Sequence, residues 1–226
     1  LPDLPDLPDL PDLPDLPETG ADSIDPHAAW RSGWYRPATA LASPNCSARS
    51  AGVCIDLVVI HSISLPPGEF GNNNVQRLFT NTLAWDEHPY FQSIHGLRVS
   101  SHFLVTRDGG LWQFVSCDEK AWHAGQSSHL ARQDCNDFSI GIELQGLEGD
   151  TFEPAQYQTL VGLCLALAQE YPISHIAGHE HIAPGRKQDP GPGFAWCLLK
   201  DSLSGRTKSP GISLAAYIQP SDPSAG

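Results

Sequence analysis

Methionine is missing from all 226 residues, initiator included, which leaves the natural start of the chain open. Basic residues are scarce: 13 Lys and Arg face 26 Asp and Glu, for a formal charge of −13. Six of the acids and no base lie in the first twenty residues, so the remaining 20 acids and 13 bases give the rest of the chain about −7. A surface of that sign without a Lys/Arg cluster repels phosphate backbones and anionic lipids, so no nucleic-acid or membrane partner is expected. No apolar run approaches the roughly 18 to 20 residues of a membrane span, and no secretory signal opens the sequence. The six cysteines, at 46, 54, 117, 135, 164 and 197, contain no CxxC pair and do not crowd into a disulfide scaffold. Free thiols and a cytoplasmic location are therefore expected, with Cys46 and Cys54 the one pair that an oxidising compartment could join. HExxH, GxSxG and Walker sequences are absent too, which removes helix-borne zinc proteases, serine hydrolases and nucleotide enzymes.

What is present falls into three parts. Residues 1–28 begin with LPD five times and then LPETG, a Pro-rich tract of period three that cannot bury its leucines and is expected to be extended or disordered. LPETG matches a sortase recognition string, but it precedes the domain instead of following it, so sorting is set aside. Residues 29–203 have the size of one domain, and 204–226, rich in Ser, Pro and Gly, read as a tail in which Ile212 to Ile218 could dock a turn. Within the domain, Trp30 to Pro44 looks like an irregular entry segment. Leu57 to Ile60 is wholly apolar and ends in His61, the pattern of a buried strand delivering a histidine to the rim of a sheet. The loop SLPPGEFGNNN follows, a candidate lid by its Gly and Asn content. Val75, Leu78, Phe79 and Leu83 recur at helical spacing, and Phe103–Thr106 with Leu111–Val115 around Arg107-Asp108-Gly109-Gly110 make a hairpin. Phe138 to Leu144 is a further strand. Tyr157, Leu160, Val161, Cys164, Leu167, Ala168 and Tyr171 mark an amphipathic helix that Pro154 starts and Pro172 stops. Ile173 to Ala177 makes one more strand, and GHEHIAPGRKQDPGP (178–192) is too rich in Pro and Gly for regular structure. The fold class is α/β, a central mixed sheet flanked by helices.

The chemistry concentrates in a few polar residues. His179 and Asp189, ten residues apart in the stiff Pro/Gly loop, and His61 at the end of its strand offer two nitrogens and one oxygen from rigid positions. Three such ligands with a fourth position open describe a catalytic zinc site. In the strand 138–144, alternation sets Phe138, Ile140, Ile142 and Leu144 on one face and Ser139, Gly141 and Glu143 on the other, leaving space beside the single carboxylate. Glu143 suits a general base that takes a proton from water and hands it to a leaving nitrogen, and Lys187 suits a developing oxyanion. Amide hydrolysis is the reaction class. His27, His88, His95, His129 and His175 read as ordinary surface or core histidines, and His181 as a neighbour of the site or of the substrate.

These residues, with VVIHSISLPPGEFG (58–71), LRVSSHFLV (97–105), AWHAG (121–125), CNDFSIGIELQG (135–146) and the Pro/Gly loop, resemble the zinc N-acetylmuramoyl-L-alanine amidases over about residues 33–199, and within them the AmpD type that acts on 1,6-anhydromuropeptides. The resemblance implies a zinc amidase / peptidoglycan recognition protein-like fold, with zinc on His61, His179 and Asp189, catalysis by Glu143 and transition-state stabilisation by Lys187. Asp in place of Cys at the third ligand fits the AmpD-like branch. It also implies a cytoplasmic enzyme of peptidoglycan recycling that cleaves the bond between anhydro-N-acetylmuramic acid and L-alanine and so limits β-lactamase induction. A muropeptide substrate and a monomeric state are expected. Ser62 stands where Asn is common, Glu180-His181 where a small residue and Asp often occur, and Asp134 where some members carry an Arg for the peptide carboxylates. Arg132 is the candidate to replace that Arg, Arg98 matches a second basic position, and Trp122 and His123 are candidate cleft residues. The alternatives are an exported amidase acting on intact peptidoglycan and a non-catalytic peptidoglycan-binding module.

Overall fold

A computed structural model describes residues 29–204; the LPD tract and the turn expected within Ile212–Ile218 lie outside the described residues. The chain runs through β1 (Trp30–Arg31), β2 (Trp34–Tyr35), β3 (Thr39–Ala40), β4 (Cys46–Ala48) and β5 (Leu57–Ile63), then α1 (Asn74–Phe79) and α2 (Pro89–Ser93). Next come β6 (Phe103–Val105), β7 (Leu111–Gln113), β8 (Glu119–Ala121), β9 (Ser128–His129), β10 (Arg132–Gln133) and α3 (Cys135–Phe138). The last part is β11 (Ser139–Gln145), α4 (Pro154–Glu170), β12 (His175–Gly178), α5 (His179–Ile182) and α6 (Trp196–Ser204). Six strands form the central sheet in the order β12-β5-β11-β6-β7-β3. β5 lies parallel to both β12 and β11, β11 is also parallel to β6, and the β6–β7 hairpin makes the sheet mixed.

The strands behave as apolar runs in a two-sided sheet should. Val58 and Ile60 of β5, with Ile140, Ile142 and Leu144 of β11, pack on one side against Leu160, Leu163 and Leu167 of α4. Each such fully buried aliphatic contributes about 1.5–3 kcal/mol relative to exposure. Leu57 and Val59, the alternate residues, face the other side, where Ala124, Cys135 and Ile182 meet them. His61 continues this second set. α1 and α2 cover a third cluster with Leu104 and Phe114. Helix α4 starts with Pro at its first turn, where the missing N–H is no loss, and Gln156 Oε1 accepts from the Glu153 N–H at 3.0 Å. It ends at Glu170 because Tyr171, before Pro172, is extended (φ −121°, ψ 150°).

Three expectations change. Trp30 to Pro44 is not irregular throughout: Trp30 pairs with Tyr35 in a small hairpin, and Thr39–Ala40 pairs with Trp112–Gln113 to form the sheet's edge. Phe138 closes the turn of α3, which precedes β11, and packs with Leu57 and Val59, opposite the Ile140/Ile142/Leu144 face. The 178–192 stretch is regular at its start, since Gly178 ends β12 and His179–Ile182 makes one helical turn before Pro184, its first proline. Cys46 and Cys54 are both free, in line with the expectation of free thiols. Among the described residues no helix is long and apolar enough to cross a membrane.

Candidate metal centre and active site

Parallel pairing assembles the site. In the β5–β11 register His61 stands opposite Glu143, and in the β5–β12 register Gly178 stands opposite Ile60, so His179 emerges beside His61. The three strands thus deliver their polar residues towards their carboxyl ends, where open α/β sheets hold ligands. Asp189 returns to the same point because the Glu180 N–H donates to its carbonyl oxygen at 2.9 Å. Gly178 permits that return: a Cβ there would lie 2.9 Å from Pro190 Cδ and 3.2 Å from the Trp196 ring.

His61 Nδ1, His179 Nδ1 and Asp189 Oδ2 converge, with separations of 3.0 Å between the imidazoles and 3.0 and 3.1 Å from each to the carboxylate. All three residues are at least nine-tenths buried. His179 Nε2 lies 3.0 Å from the Ala124 carbonyl oxygen, which only accepts, so neutral His179 carries its proton there and points a lone pair at Asp189. Two electron pairs facing each other at 3.1 Å repel unless a cation lies between them. Two nitrogens and an oxygen suit a borderline ion such as zinc, and these residues fit one. Burial lowers the His61 pKa to about 4, leaving it neutral as a ligand must be.

Glu143 is buried, and its Oε2 has no partner among the described residues. Burial, reinforced by Asp189 and opposed by Lys187, pushes its pKa well above the usual carboxylate range. That is the condition of a group able to hold a proton at neutral pH. Lys187 is exposed and lines, with His61, Glu143, His179 and Asp189, one cleft of about 480 Å³. Leu65, Leu78, Tyr90, Ile94 and Val99 add an apolar part to its lining. Sequence reasoning missed that part, although the helical spacing of Val75, Leu78 and Phe79 signalled the helix that supplies some of it.

The remaining candidates separate. His123 reaches the cleft, with Nδ1 2.9 Å from His61 Nε2. The space expected above Gly141 is filled by the His123 ring, since a Cβ at Gly141 would lie 2.5 Å from it. Trp122 is half-buried outside the cleft lining and donates its indole N–H to Ser47 Oγ at 3.2 Å. Arg132 pairs with Asp56 at 2.8 Å and lies over the Phe138 ring at 3.9 Å, also outside that lining. Arg98 is exposed and not part of it either. His181 sits in α5, accepts from the Gly178 N–H at 2.8 Å and meets the Trp196 ring at a tilt of 52°. Of the histidines read as ordinary, His88 caps α2, His95 leans on Trp85 and His129 meets His175 edge to face, while His27 lies outside the described residues. Arg186, also missed, donates to the carbonyl oxygens of Ala124 and Gln126, both at 2.6 Å.

Comparison with known proteins gives the family. The N-acetylmuramoyl-L-alanine amidase family matches residues 50–192. The 1,6-anhydro-N-acetylmuramyl-L-alanine amidase AmpD of Citrobacter freundii is 48% identical over 170 residues, 74% of this chain and 91% of that protein. A crystal structure of a selenomethionine derivative of AmpD superposes with a TM-score of 0.75 at 46% identity, covering 76% of this chain and 98% of that one. The Escherichia coli amidase AmiD, solved with anhydro-N-acetylmuramic acid-L-Ala-D-γ-Glu-L-Lys, gives a TM-score of 0.50 at 30% identity over 68% of this chain and 60% of its own. With the family spanning most of the described domain and the two AmpD relatives covered over 91% and 98% of their length, this chain belongs to the N-acetylmuramoyl-L-alanine amidase family.

Proposed function

We propose that the protein is a zinc-dependent amidase that hydrolyses the bond between (1,6-anhydro-)N-acetylmuramic acid and L-alanine in muropeptides, as a monomeric cytoplasmic enzyme of peptidoglycan recycling. The observation that carries this reading is the convergence of His61 Nδ1, His179 Nδ1 and Asp189 Oδ2 within 3.1 Å, with Glu143 in register beside His61. Those three residues would hold zinc, which when bound would supply Lewis acidity towards an amide carbonyl and water. Glu143, its pKa raised by burial, takes the proton from the attacking water and passes it to the departing L-alanine nitrogen. The Lys187 ammonium faces the oxygen that gains charge in the transition state. Leu65, Leu78 and Ile94 shield the reacting bond from bulk solvent and offer the sugar an apolar surface. The substrate assignment is supported by AmpD, named for 1,6-anhydro-N-acetylmuramyl-L-alanine cleavage, and by AmiD, solved with an anhydromuropeptide. The cytoplasmic setting is supported by six free thiols.

The test is mass spectrometry of anhydromuropeptide incubated with zinc-loaded protein. Release of anhydro-N-acetylmuramic acid and a free L-alanyl peptide is expected, together with its loss after chelation and in Asp189→Ala. An Asp189→Ala protein that kept both zinc and full activity would overturn the assignment, and cleavage of intact peptidoglycan in preference to the anhydromuropeptide would move the enzyme to wall remodelling.

A further inference from the structure

One short segment, Trp122 to Ala124, reaches both metal histidines from behind, by different means. His179 meets a backbone carbonyl, that of Ala124, whose direction is fixed. His61 Nε2 instead meets an imidazole nitrogen, His123 Nδ1, at 2.9 Å, and such a nitrogen either donates or accepts. The direction comes from further along. His123 Nε2 is 3.2 Å from Ser139 Oγ, and Ser139 Oγ is 2.6 Å from the Cys135 carbonyl oxygen. That carbonyl accepts only, so the Ser139 hydroxyl donates its single proton to it. Ser139 Oγ then accepts from His123 Nε2–H, His123 Nδ1 accepts from His61 Nε2–H, and His61 Nδ1 keeps its lone pair toward His179 and Asp189.

We propose that His123, oriented by Ser139, is a positioning residue that fixes the tautomer in which His61 binds the metal. The inference rests on the metal site of the proposed function and adds to it a reason for the residues behind the ligands. Without the chain, His61 could place its proton on Nδ1 and donate to Asp189 Oδ2 at 3.0 Å, closing the site on itself without a cation. The surroundings are built to hold His123. Asn136 Oδ1 accepts from the backbone N–H groups of His123 and Ala124 at 3.0 and 2.7 Å, fixing the segment that sets both ligands. Gly141 leaves the room for the ring, and His123 and Ser139 are both buried. With both ring nitrogens engaged by protein, His123 serves the metal ligand and not the substrate.

The experiment is zinc affinity by chelator competition for the wild type, His123→Leu, His123→Asn and Ser139→Ala. Outer-shell partners of ligating histidines typically carry about 10- to 100-fold in metal affinity, and His123→Leu is expected to fall in that range. His123→Asn, whose Oδ1 only accepts and stands near the lost Nδ1, is expected to keep affinity within about threefold of wild type, and Ser139→Ala to lie between the two. Equal weakening by Leu and Asn, or a Leu variant within threefold of wild type, overturns the proposal. ¹⁵N NMR of the zinc-free protein gives a second reading that does not depend on the leucine variant folding. His61 is expected as the Nε2–H tautomer in the wild type and as a mixture in Ser139→Ala, and an Nδ1–H wild type overturns the proposal. Activity enters neither measurement, so failure of hydrolysis with these affinities intact removes the proposed reaction and leaves the positioning role standing.

Discussion

The two faces of β5 and β11 are equally buried and are made in opposite ways. On the α4 side, Val58, Ile60, Ile140, Ile142 and Leu144 are closed by area alone, with leucines of the helix against them. On the other side the same strands carry His61, Ser139 and Glu143, and burial there is maintained by matching each polar atom to a partner. The exception is informative: Glu143 Oε2 has no partner among the described residues. A buried unpaired carboxylate destabilises a fold, and it persists where its proton is needed. One face supplies the stability that the other spends on a poised acid.

The largest effect expected from breaking this contrast is on rate. Glu143→Gln keeps the shape and the proposed zinc ligands but cannot carry a proton, and activity is expected to fall by about 10²- to 10⁴-fold with zinc retained. The same change should leave its mark on stability. In the unfolded chain Glu143 ionises near 4.5, while in the fold burial holds its pKa well above that. The folded state therefore binds more protons over the interval, and the metal-free wild type should lose stability as pH rises from about 4.5 towards the folded pKa. Denaturant titrations of metal-free protein across this interval are expected to show that slope in the wild type and a flatter one in Glu143→Gln. Wild-type turnover in the variant would remove Glu143 from the mechanism.

The opposite face should respond in the opposite way. Ile142→Ala, adjacent to Glu143 but pointing at α4, leaves a cavity and is expected to destabilise by about 2–5 kcal/mol in urea, within the range for buried Ile-to-Ala changes. Zinc affinity of the folded fraction should stay within about threefold of wild type, since no metal ligand or partner of one is altered. A tenfold loss would show that the two faces are mechanically coupled.

How much of this was legible in sequence follows the range of the interactions. The buried strand before His61, the hairpin around Gly109 and the helix from Pro154 are local patterns of apolar spacing and turn chemistry, and the structure has all three. The five polar residues His61, Glu143, His179, Lys187 and Asp189 could be chosen because the first two end or interrupt apolar strands and the other three lie in a stretch rich in Pro and Gly, and they share one cleft. What sequence concealed is long-range. Thr39–Ala40 becomes an edge strand only because Trp112–Gln113 lies alongside. Arg49 carried no local signal, yet its guanidinium donates to the carbonyl oxygens of Cys117, Asn136, Asp137 and Ser139, pinning the turn that launches β11. His123 read as a cleft donor since nothing near it in sequence shows that His61 and Ser139 take both its nitrogens.

The smallest effect concerns Trp122, the neighbour of that histidine. Its indole N–H donates to Ser47 Oγ at 3.2 Å, and Ser47 sits in β4, paired through Lys120 with β8. The ring therefore ties the short β4–β8 ladder to the segment behind His61 and His179. Trp122→Phe keeps an aromatic ring and removes the donor, so the expected loss is about 1 kcal/mol, the net worth of one such bond. In a domain of this size that lowers Tm by about 2–4 °C. KM for the muropeptide should change less than about twofold, because the cleft is lined by other residues. A tenfold rise in KM at unchanged Tm would instead make the indole a wall of the substrate site, and would mean that the cleft reorganises around its ligand to reach it.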